Sequence, residues 1–421
     1  MSRTEEFEAI VIGGGPAGST AGAVLAEHGR RVVVLEKDRF PRYHIGESLM
    51  PYCYFPLERI GVIEQIKQSN FPKKYSVQFV STSGKVSQPF YFFQHLEHEA
   101  ATTWQVVRSE FDQMLLQNAR ARGAEVREET RAVEILQENG TVVGVRTESG
   151  GEERILRAPI TLDASGRDAL AVARNGWRVP DARLKKIAVW TYYRGALRDP
   201  GLDEGATTVA YLPEKGWFWY IPLPDDVVSV GIVADREYLL DESREPAEIF
   251  AREIPRNPWI QEHLAPAQQF GRYWTTSEYS YRSQYCAADG LVLVGDAFAF
   301  LDPVFSSGVF LALRSGELAA DVAHAALQAG DVSAERFREY GETVCRGIEA
   351  MRNLVYAFYD HEFSFRNLFM SYPTIRPDLT DCLIGNLFRD FQDLFGRVGE
   401  FARLPAPLPH GTPLPSCASS N

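Results

Sequence analysis

Six residues near the start of the chain have the types and the spacing that bind a phosphate group. Gly13-Gly14-Gly15-Pro16-Ala17-Gly18 matches the pattern G-x-G-x-x-G and lies between an apolar, β-branched run and a helix-forming segment. A glycine turn at the start of a helix presents unpaired backbone N–H groups and the positive end of the helix dipole, which favour an anion. Glu36 ends the next apolar run, where a carboxylate accepts hydrogen bonds from ribose hydroxyls. The pattern predicts a dinucleotide site on a βαβ unit.

Features further along the chain indicate that the dinucleotide is FAD. An apolar strand-like run is followed by Gly295-Asp296, and many FAD enzymes with two sheets place such an aspartate on the flavin side chain. Arg108 precedes a predicted helix, like the segment that places an arginine near the flavin in those enzymes, and Asp163 ends another core strand. No second G-x-G-x-x-G follows a strand, so a dedicated NAD(P)H domain is not expected.

Further segments resemble motifs of the flavin-dependent halogenases, over residues 6–330. Trp217-Phe218-Trp219-Tyr220-Ile221-Pro222 matches the W-x-W-x-I-P motif, and Lys74 aligns with the catalytic lysine of that family. Residues 300–309 resemble the flavin-side loop of the phenol- and pyrrole-acting branch, and Gly46-Glu47-Ser48 also matches. The resemblance implies that reduced FAD, oxygen and chloride or bromide give hypohalous acid, which passes through an internal channel to the lysine.

The resemblance also implies roles for single residues. Lys74, Trp217 and Trp219 are expected to be catalytic, and the two tryptophans to divide a flavin chamber from a substrate chamber. The backbone amides of Ser307 and Gly308, at a helix start that favours anions, are expected to hold the halide. The residues expected to bind FAD, from the glycine motif and the resemblance together, are Gly13, Gly15, Ala17, Gly18, Glu36, Lys37, Gly46, Glu47, Ser48, Arg108, Asp163, Gly295, Asp296, Pro303, Ser306 and Gly308.

One departure from the family concerns the substrate. Indole-acting members carry a glutamate just before the serine of the flavin-side loop, whereas this chain has Phe305. An uncharged site suits a ring that activates itself, so a phenolic or pyrrolic substrate is expected and free tryptophan is expected to be a poor one. The sequence leaves open whether the substrate is tethered to an acyl or peptidyl carrier protein. A separate flavin reductase is expected to supply reduced FAD.

Other functions on the same scaffold stay open at this point. An oxidoreductase of the geranylgeranyl reductase type and an aromatic monooxygenase would both keep the FAD motifs, as would a flavin-binding protein without activity. The Ile221-Pro222 ending of the tryptophan motif and the Lys74 segment favour halogenation over reduction.

The elements that must position these residues predict an α/β fold of the glutathione-reductase type. Its Rossmann-type FAD-binding subdomain is expected to be discontinuous and to share a domain of residues 1–330 with a second, substrate-binding β-sheet. A helical carboxy-terminal region over 331–403 and a proline-rich, disordered tail over 404–421 are expected to follow. The expected FAD-binding segments are 1–69, 96–175 and 270–330, and the expected segments of the substrate sheet are 70–95 and 176–269.

Composition excludes several classes of partner. A formal net charge of −12 argues against a nucleic-acid backbone. Five scattered cysteines without a C-x-x-C pair argue against a zinc site or a redox dithiol and are typical of a cytoplasmic protein. No apolar stretch reaches the roughly 20 residues of a membrane span, and the first residues lead into a strand rather than a signal peptide. The sequence therefore predicts a cytoplasmic enzyme without a metal.

Overall fold

The computed structural model describes residues 4–277 and 280–415. A central sheet of six strands carries the glycine motif, and five of these strands run parallel. Strands of a parallel sheet are buried on both faces, which explains the continuous apolar runs Ala9–Ile12 and Val32–Leu35. The spatial order is Ala287–Ala288, Leu291–Leu293, Ile160–Asp163, Ala9–Ile12, Val32–Leu35 and Glu125–Arg127.

Helix Pro16–Glu27 packs between two longer helices beside this sheet. It contacts Arg108–Ala121 and Gly308–Ala329, and its small residues allow close approach. A Cβ at Gly18 would lie 1.9 Å from the carbonyl oxygen of Gly13, so only glycine fits there. The other helices before residue 331 are Tyr54–Arg59, Ile63–Lys67, Leu170–Asn175, Arg236–Leu239, Pro246–Glu253 and Pro258–Leu264.

A second sheet of seven strands has two differently covered faces. Along Trp217–Leu223 the side chains alternate: Phe218 and Tyr220 pack under the helices of residues 246–264, whereas Trp217 and Trp219 face the main core. The spatial order is Gln268–Ser277, Lys186–Arg194, Val227–Asp235, Trp217–Leu223, Thr207–Tyr211, Ser76–Val80 and Phe90–Tyr91.

Two of the predicted boundaries of the substrate sheet were wrong. Strand Gln268–Ser277 crosses residue 270, because pairing with Lys186–Arg194 continues past Gly271 through a local register shift. Strand Arg178–Pro180, predicted to belong to the substrate sheet, instead pairs with Tyr281–Ser283 in a separate small sheet. The remaining strands are Thr4–Glu6, Glu152–Arg157, Thr141–Ser149 and Arg131–Glu138 in one sheet, Ala299–Phe300 in the small sheet, and the pair Lys73–Lys74 with Thr103–Trp104.

The carboxy-terminal region is helical, but residues 404–415 of the tail that follows it are not disordered as predicted. Residues 404–415 are described and lie against the body of the protein: Gly411 donates its backbone N–H to Gln284 and Leu414 donates to Ala287. The prolines lack only N–H donors, and the residues between them supply these bonds. Residues 416–421 lie outside the described part. The helices are Arg338–Tyr359, Phe365–Ser371, Arg376–Ile384 and Gln392–Val398.

Candidate active site

A cavity of about 490 Å³ lies where the glycine motif, the second sheet and the loop before helix Gly308–Ala329 meet. Its size is in the range of cofactor pockets. Most of the predicted site residues lie on its wall, although they come from distant parts of the sequence. They are Gly13, Gly15, Ala17, Glu36, Lys37, Gly46, Glu47, Ser48, Arg108, Trp217, Trp219, Asp296, Pro303, Ser306 and Gly308.

The glycine motif forms an open cradle at one end of the cavity. Gly13 has φ +103°, and a Cβ there would lie 2.3 Å from the carbonyl oxygen of Ala164, so the turn requires glycine. A Cβ on Gly15 would meet only the Arg42 guanidinium, at 3.5 Å, and Gly15 caps its helix without a side-chain hydrogen bond. The free N–H groups of this helix start therefore fit a pyrophosphate.

Glu36 is fixed in place at the end of its strand. It is 4% exposed, accepts the backbone N–H of Gly14 at 2.8 Å through Oε2, and accepts that of Asp38 at 2.9 Å through Oε1. A carboxylate has lone pairs left after two such bonds, so ribose hydroxyls can still donate to it. Lys37 beside it is exposed and pairs with Asp168. These contacts fit the adenosine end of a dinucleotide.

Arg108 lies deep in the wall, held by a buried ion pair. Its Nε and Nη2 donate to the two carboxylate oxygens of Asp112 at 2.8 and 3.0 Å, and Nη1 donates to the carbonyl of Ile45 at 2.6 Å. Nearby, burial raises the pKa of Asp296 to about 6, which Arg108 and Arg167 act to lower. This part of the wall can recognise polar groups of a flavin side chain.

Four of the residues predicted to bind FAD or halide do not line the large cavity. For Asp163 and Gly18 the structure shows another role. Both carboxylate oxygens of Asp163 accept backbone N–H groups, from Ser165 at 3.1 Å and Ala171 at 2.7 Å, so this aspartate holds the turn after its strand and does not face the cavity. Gly18 serves helix–strand packing, as described above.

The other two are Gly295 and Ser307. A Cβ on Gly295 would lie 3.0 Å from that of Ala17, so this glycine allows the strand end and the first helix to pack closely. The Ser307 residue is only 2% exposed at the cap of its helix, although Ser306 and Gly308 on either side of it are wall residues.

Lys74 faces a second, smaller chamber of about 30 Å³. The side chain is 2% exposed, whereas its neighbour Lys73 is exposed, because the two point to opposite sides of a short strand. Most of the chamber wall is apolar, and the lining residues other than Lys74 are Met50, Val77, Phe79, Phe90, Phe92, Thr207, Val304, Phe305, Ser306 and Leu383.

Burial sets the chemistry of the Lys74 amine. It lowers the pKa of this lysine from its usual 10.5 to about 7. Nζ donates to Ser48 Oγ at 2.8 Å and to the carbonyl of Leu49 at 3.1 Å. The Ser48 hydroxyl also lies 2.8 Å from the Thr207 hydroxyl. A substantial fraction of the amine is therefore neutral, and nucleophilic, near neutral pH.

The two chambers adjoin each other. Thr207, Val304 and Ser306 line both, and Ser48, which binds Lys74, lies on the wall of the large cavity. Ser306 has a left-handed backbone with φ +57°, a conformation that costs energy outside glycine and is often found at functional sites. These shared residues place the Lys74 amine next to the large cavity.

The two tryptophans stand side by side on the wall of the large cavity. Their ring centroids are 6.3 Å apart, and they are 2% and 8% exposed. Trp217 donates its indole N–H to Tyr359 at 2.8 Å, and Trp219 donates to Ser229 at 3.1 Å. Gly231 lies opposite Trp219 on the next strand, where a Cβ would come within 2.2 Å of the indole ring. The sequence motif is thus held by partners that the motif itself does not contain.

Sequence reasoning missed several residues that complete the site. Tyr192 binds Glu47, Tyr359 binds Trp217 and Asp302, and Thr207 joins the two chambers. Such residues have no characteristic spacing, because strand order and the carboxy-terminal helix bring them to the site.

Within residues 4–277 and 280–415, no helix is long and apolar enough to cross a membrane, and no group of three His, Cys, Asp or Glu side chains is placed to hold a metal ion.

Known proteins resemble this chain over almost its whole length. The family model described as tryptophan halogenase matches residues 8–101 and 82–366. The chain is 31% identical over 387 residues to a 1H-pyrrole-2-carbonyl-(peptidyl-carrier protein) brominase of Pseudoalteromonas luteoviolacea, covering 91% of this chain and 92% of that protein. It is 29% identical over 408 residues to the corresponding chlorinase of Pseudomonas fluorescens, covering 91% and 90%.

A solved structure extends this likeness to the fold. The flavin-dependent brominase Bmp2 superposes with a TM-score of 0.86 at 28% sequence identity, covering 94% of this chain and 98% of that one. The predicted α/β fold with a Rossmann-type FAD-binding part is confirmed. The predicted use of FAD and a halide is confirmed as well. These relatives do not support the alternative functions, which were a reductase, a monooxygenase and a flavin-binding protein without activity. The chain belongs to the tryptophan halogenase family and is a flavin-dependent halogenase that acts on aromatic compounds.

Proposed function

We propose that this enzyme halogenates an electron-rich ring, phenolic or pyrrolic, and that Lys74 receives the oxidant and directs it. The observation that carries the proposal is the position of Lys74. Its amine is buried, faces the small chamber and donates to Ser48 on the wall of the large cavity, and Thr207, Val304 and Ser306 line both chambers. A buried amine of lowered pKa can bind hypohalous acid through its lone pair or as a hydrogen-bond donor.

In this proposal the wall of the large cavity holds FAD. The helix start at Gly15 binds the pyrophosphate, Glu36 binds the ribose, and Arg108 with Asp296 binds polar groups of the flavin side chain. Bound reduced FAD supplies the electrons with which oxygen and halide give hypohalous acid. The backbone N–H groups at residues 307–308, which open a helix of 22 residues, bind the halide.

The tryptophans Trp217 and Trp219 close the large cavity against water. Both rings are nearly fully buried and are fixed by hydrogen bonds to Tyr359 and Ser229. A wall of fixed aromatic rings excludes solvent, which keeps a reactive oxidant from being lost before it reaches Lys74.

The lining of the small chamber supports an electron-rich substrate. Phe305 lies on its wall, 8% exposed, and the lining residues include no aspartate or glutamate that could take a proton from the ring. Phenols and pyrroles do not depend on such a base. A pyrrole tethered to a carrier protein is the substrate that we favour, because the two pyrrolyl-carrier halogenases match this chain over 90% or more of their own lengths.

We further propose two features of the cellular setting. A separate flavin reductase supplies reduced FAD, since no second G-x-G-x-x-G follows a strand in the sequence. The enzyme acts in the cytoplasm, where reduced thiols are the rule. Cys53, Cys286, Cys345 and Cys382 are all unpaired.

The test is a coupled assay for brominated products. The enzyme is incubated with a flavin reductase, NADH, FAD, oxygen and bromide, and with pyrrole-2-carboxylate loaded on a peptidyl carrier protein, free pyrrole-2-carboxylate, a panel of phenols, or tryptophan. Mass spectrometry should detect bromination of pyrroles or phenols and little of tryptophan. Lys74→Ala should abolish product while oxidation of reduced flavin continues, and Lys73→Ala, one residue away on the exposed side, should retain it. Product from Lys74→Ala would remove this lysine from the mechanism, and equal turnover of tryptophan would refute the substrate class.

A further inference from the structure

Tyr359 ends the long carboxy-terminal helix Arg338–Tyr359 and connects two parts of the active site. Its hydroxyl oxygen accepts the indole N–H of Trp217 at 2.8 Å, and its own hydrogen is donated to Asp302 Oδ2 at 2.9 Å. An indole nitrogen can only donate, and a phenol has a single hydrogen, so both hydrogen bonds have a fixed direction. Trp217 lies on the wall of the large cavity, whereas Asp302 belongs to the flavin-side loop of residues 300–309.

Asp302 holds the shape of the flavin-side loop. The residue is 1% exposed, and its Oδ1 accepts the backbone N–H of Val304 at 3.1 Å, which caps the short turn Pro303–Phe305. Val304 is one of the residues that line both chambers. Burial raises the pKa of Asp302 to about 6, and the hydrogen bond from Tyr359 is the largest of the effects that lower it. A buried carboxylate depends on such donors, because they replace the water that it has lost.

The ring of Phe358, the residue before Tyr359, contacts the walls of both chambers. Its centroid lies 6.4 Å from that of the Trp217 ring and 5.9 Å from that of the Phe305 ring, edge to face in both cases. Trp217 lines the large cavity, and Phe305 lines the small chamber. The end of one helix therefore packs against both walls and also holds the flavin-side loop by a hydrogen bond.

The helix that carries Tyr359 is itself fixed to the body of the protein. Tyr340, in its first turn, donates its hydroxyl to the carbonyl of Leu293 in the central sheet at 2.6 Å. Arg352, two turns before the end, forms an ion pair of 2.8 Å with Asp181. Both tyrosine and arginine are buried. A side chain on an element held in this way can fix the position of others more precisely than one on a loop.

We propose that Tyr359 is a positioning residue that holds Trp217 and the flavin-side loop in one fixed arrangement. The inference rests on the proposed function, in which Trp217 excludes water and the amides of residues 307–308 bind the halide. Tyr359 acts through Trp217 and Asp302 and not by contact with the reacting atoms. Without its hydroxyl, the Trp217 N–H and Asp302 Oδ2 both lose this partner, so the tryptophan wall and the halide site should loosen together.

The first test measures hydrogen exchange of the whole enzyme without turnover. Tyr359→Phe keeps the ring, which lies 4.1 Å from the Lys186 amine, and removes only the hydroxyl. The backbone N–H groups of residues 302–308 should exchange about tenfold faster than in the wild type, because Asp302 has lost a hydrogen bond to its buried carboxylate. Mass spectrometry of the peptides that contain this segment measures the rate. A rate within about twofold of the wild type would overturn the proposal.

Tyr356→Phe is the matched control. Tyr356 lies on the same helix, three residues before Tyr359, and donates its hydroxyl to a different carboxylate, that of Asp181. Asp181 keeps its ion pair with Arg352 in this variant, so the helix stays attached. Exchange of residues 302–308 should therefore remain as in the wild type. Equally fast exchange in both variants would indicate a general loosening of the helix and would overturn a specific role for Tyr359.

Asp302→Asn tests the same link from its other end. The amide keeps the shape of the carboxylate but is a weaker acceptor for the Tyr359 hydroxyl, so exchange of residues 302–308 should again become faster. The double variant Tyr359→Phe/Asp302→Asn should exceed the faster single variant by less than about twofold, because both substitutions act on the same hydrogen bond. Factors that multiply in the double variant would show that the two residues act independently and would overturn the link.

The coupled assay for brominated products tests the consequence for catalysis. In Tyr359→Phe the KM for bromide should rise about tenfold, and a larger share of the reduced flavin should end as hydrogen peroxide. Tyr356→Phe should reproduce the wild type in both measurements. A fall in kcat alone, with the KM for bromide and the peroxide share unchanged, would overturn the positioning role. Faster exchange of residues 302–308 in Tyr359→Phe, in an enzyme that brominates none of the substrates, would support the link while refuting the proposed function.

Discussion

Replacing Lys74 with methionine should make the protein more stable at neutral pH while it loses its activity. Methionine matches the length of the lysine stem and removes only the amine. The wild type holds this amine in a buried position where its pKa is lowered to about 7. Removing the charged amine from water destabilises the folded wild type, and the methionine variant has no such desolvation cost.

The magnitude follows from the pKa. A change from 10.5 to about 7 corresponds to a cost of about 5 kcal/mol for the charged lysine, at about 1.36 kcal/mol per pKa unit. The variant loses the hydrogen bonds to Ser48 and Leu49, worth about 1 kcal/mol each. At pH 7 about half of the amine is already neutral, which reduces the cost to roughly 4.4 kcal/mol, so the free energy of unfolding should rise by about 2.4 kcal/mol.

The sign of the pH dependence distinguishes this cause from others. Between pH 7 and pH 10.5 the unfolded chain keeps a proton on Lys74 that the folded chain releases, so wild-type stability rises with pH in this window. The advantage of Lys74→Met should shrink over the same window and reverse near about pH 9, where the remaining cost equals the two lost hydrogen bonds.

Urea unfolding at pH 6, 7, 8, 9 and 10 measures the effect, with apo and FAD-saturated protein. Lys73→Met is the control, because that side chain is exposed, and its stability should stay within about 0.5 kcal/mol of the wild type. If Lys74→Met were less stable than the wild type by an amount that did not vary with pH, Lys74 would be a charged, well-paired lysine. The argument for a neutral, reactive amine would then fail.

Three further substitutions test the large cavity. Gly231→Ala places a Cβ 2.2 Å from the Trp219 ring, so the ring must move. FAD should still bind to this variant, but the yield of brominated product should fall at least about tenfold and the release of hydrogen peroxide should rise. Arg108→Met leaves the buried Asp112 carboxylate without its closest partner, so the free energy of unfolding in urea should fall by about 3–5 kcal/mol. A fall of less than about 1 kcal/mol would contradict a buried ion pair. Gly18→Ala, 1.9 Å from a backbone oxygen, should prevent FAD binding in a fluorescence titration, and wild-type affinity would refute the packing role.

The sequence alone determined the parts of this protein that depend on local pattern. The glycine motif with Glu36 eighteen residues later predicts a βαβ dinucleotide site, because the turn, the helix start and the strand end lie within one short unit. Buried parallel strands are continuous apolar runs, so they can be predicted from the sequence. The motif around Trp217 and the Lys74 segment indicated the family by resemblance.

Only the tertiary structure decided which of two adjacent lysines is buried and which predicted residues reach the cavity. Lys73 and Lys74 are chemically alike, and the short pairing with Thr103–Trp104 sets which one points inward. Asp163 was expected at the cofactor, but two backbone N–H groups from the following turn occupy its carboxylate. Glu47 meets Tyr192 across 145 residues of sequence. Such contacts depend on strand register and on sheet packing, which no local spacing records.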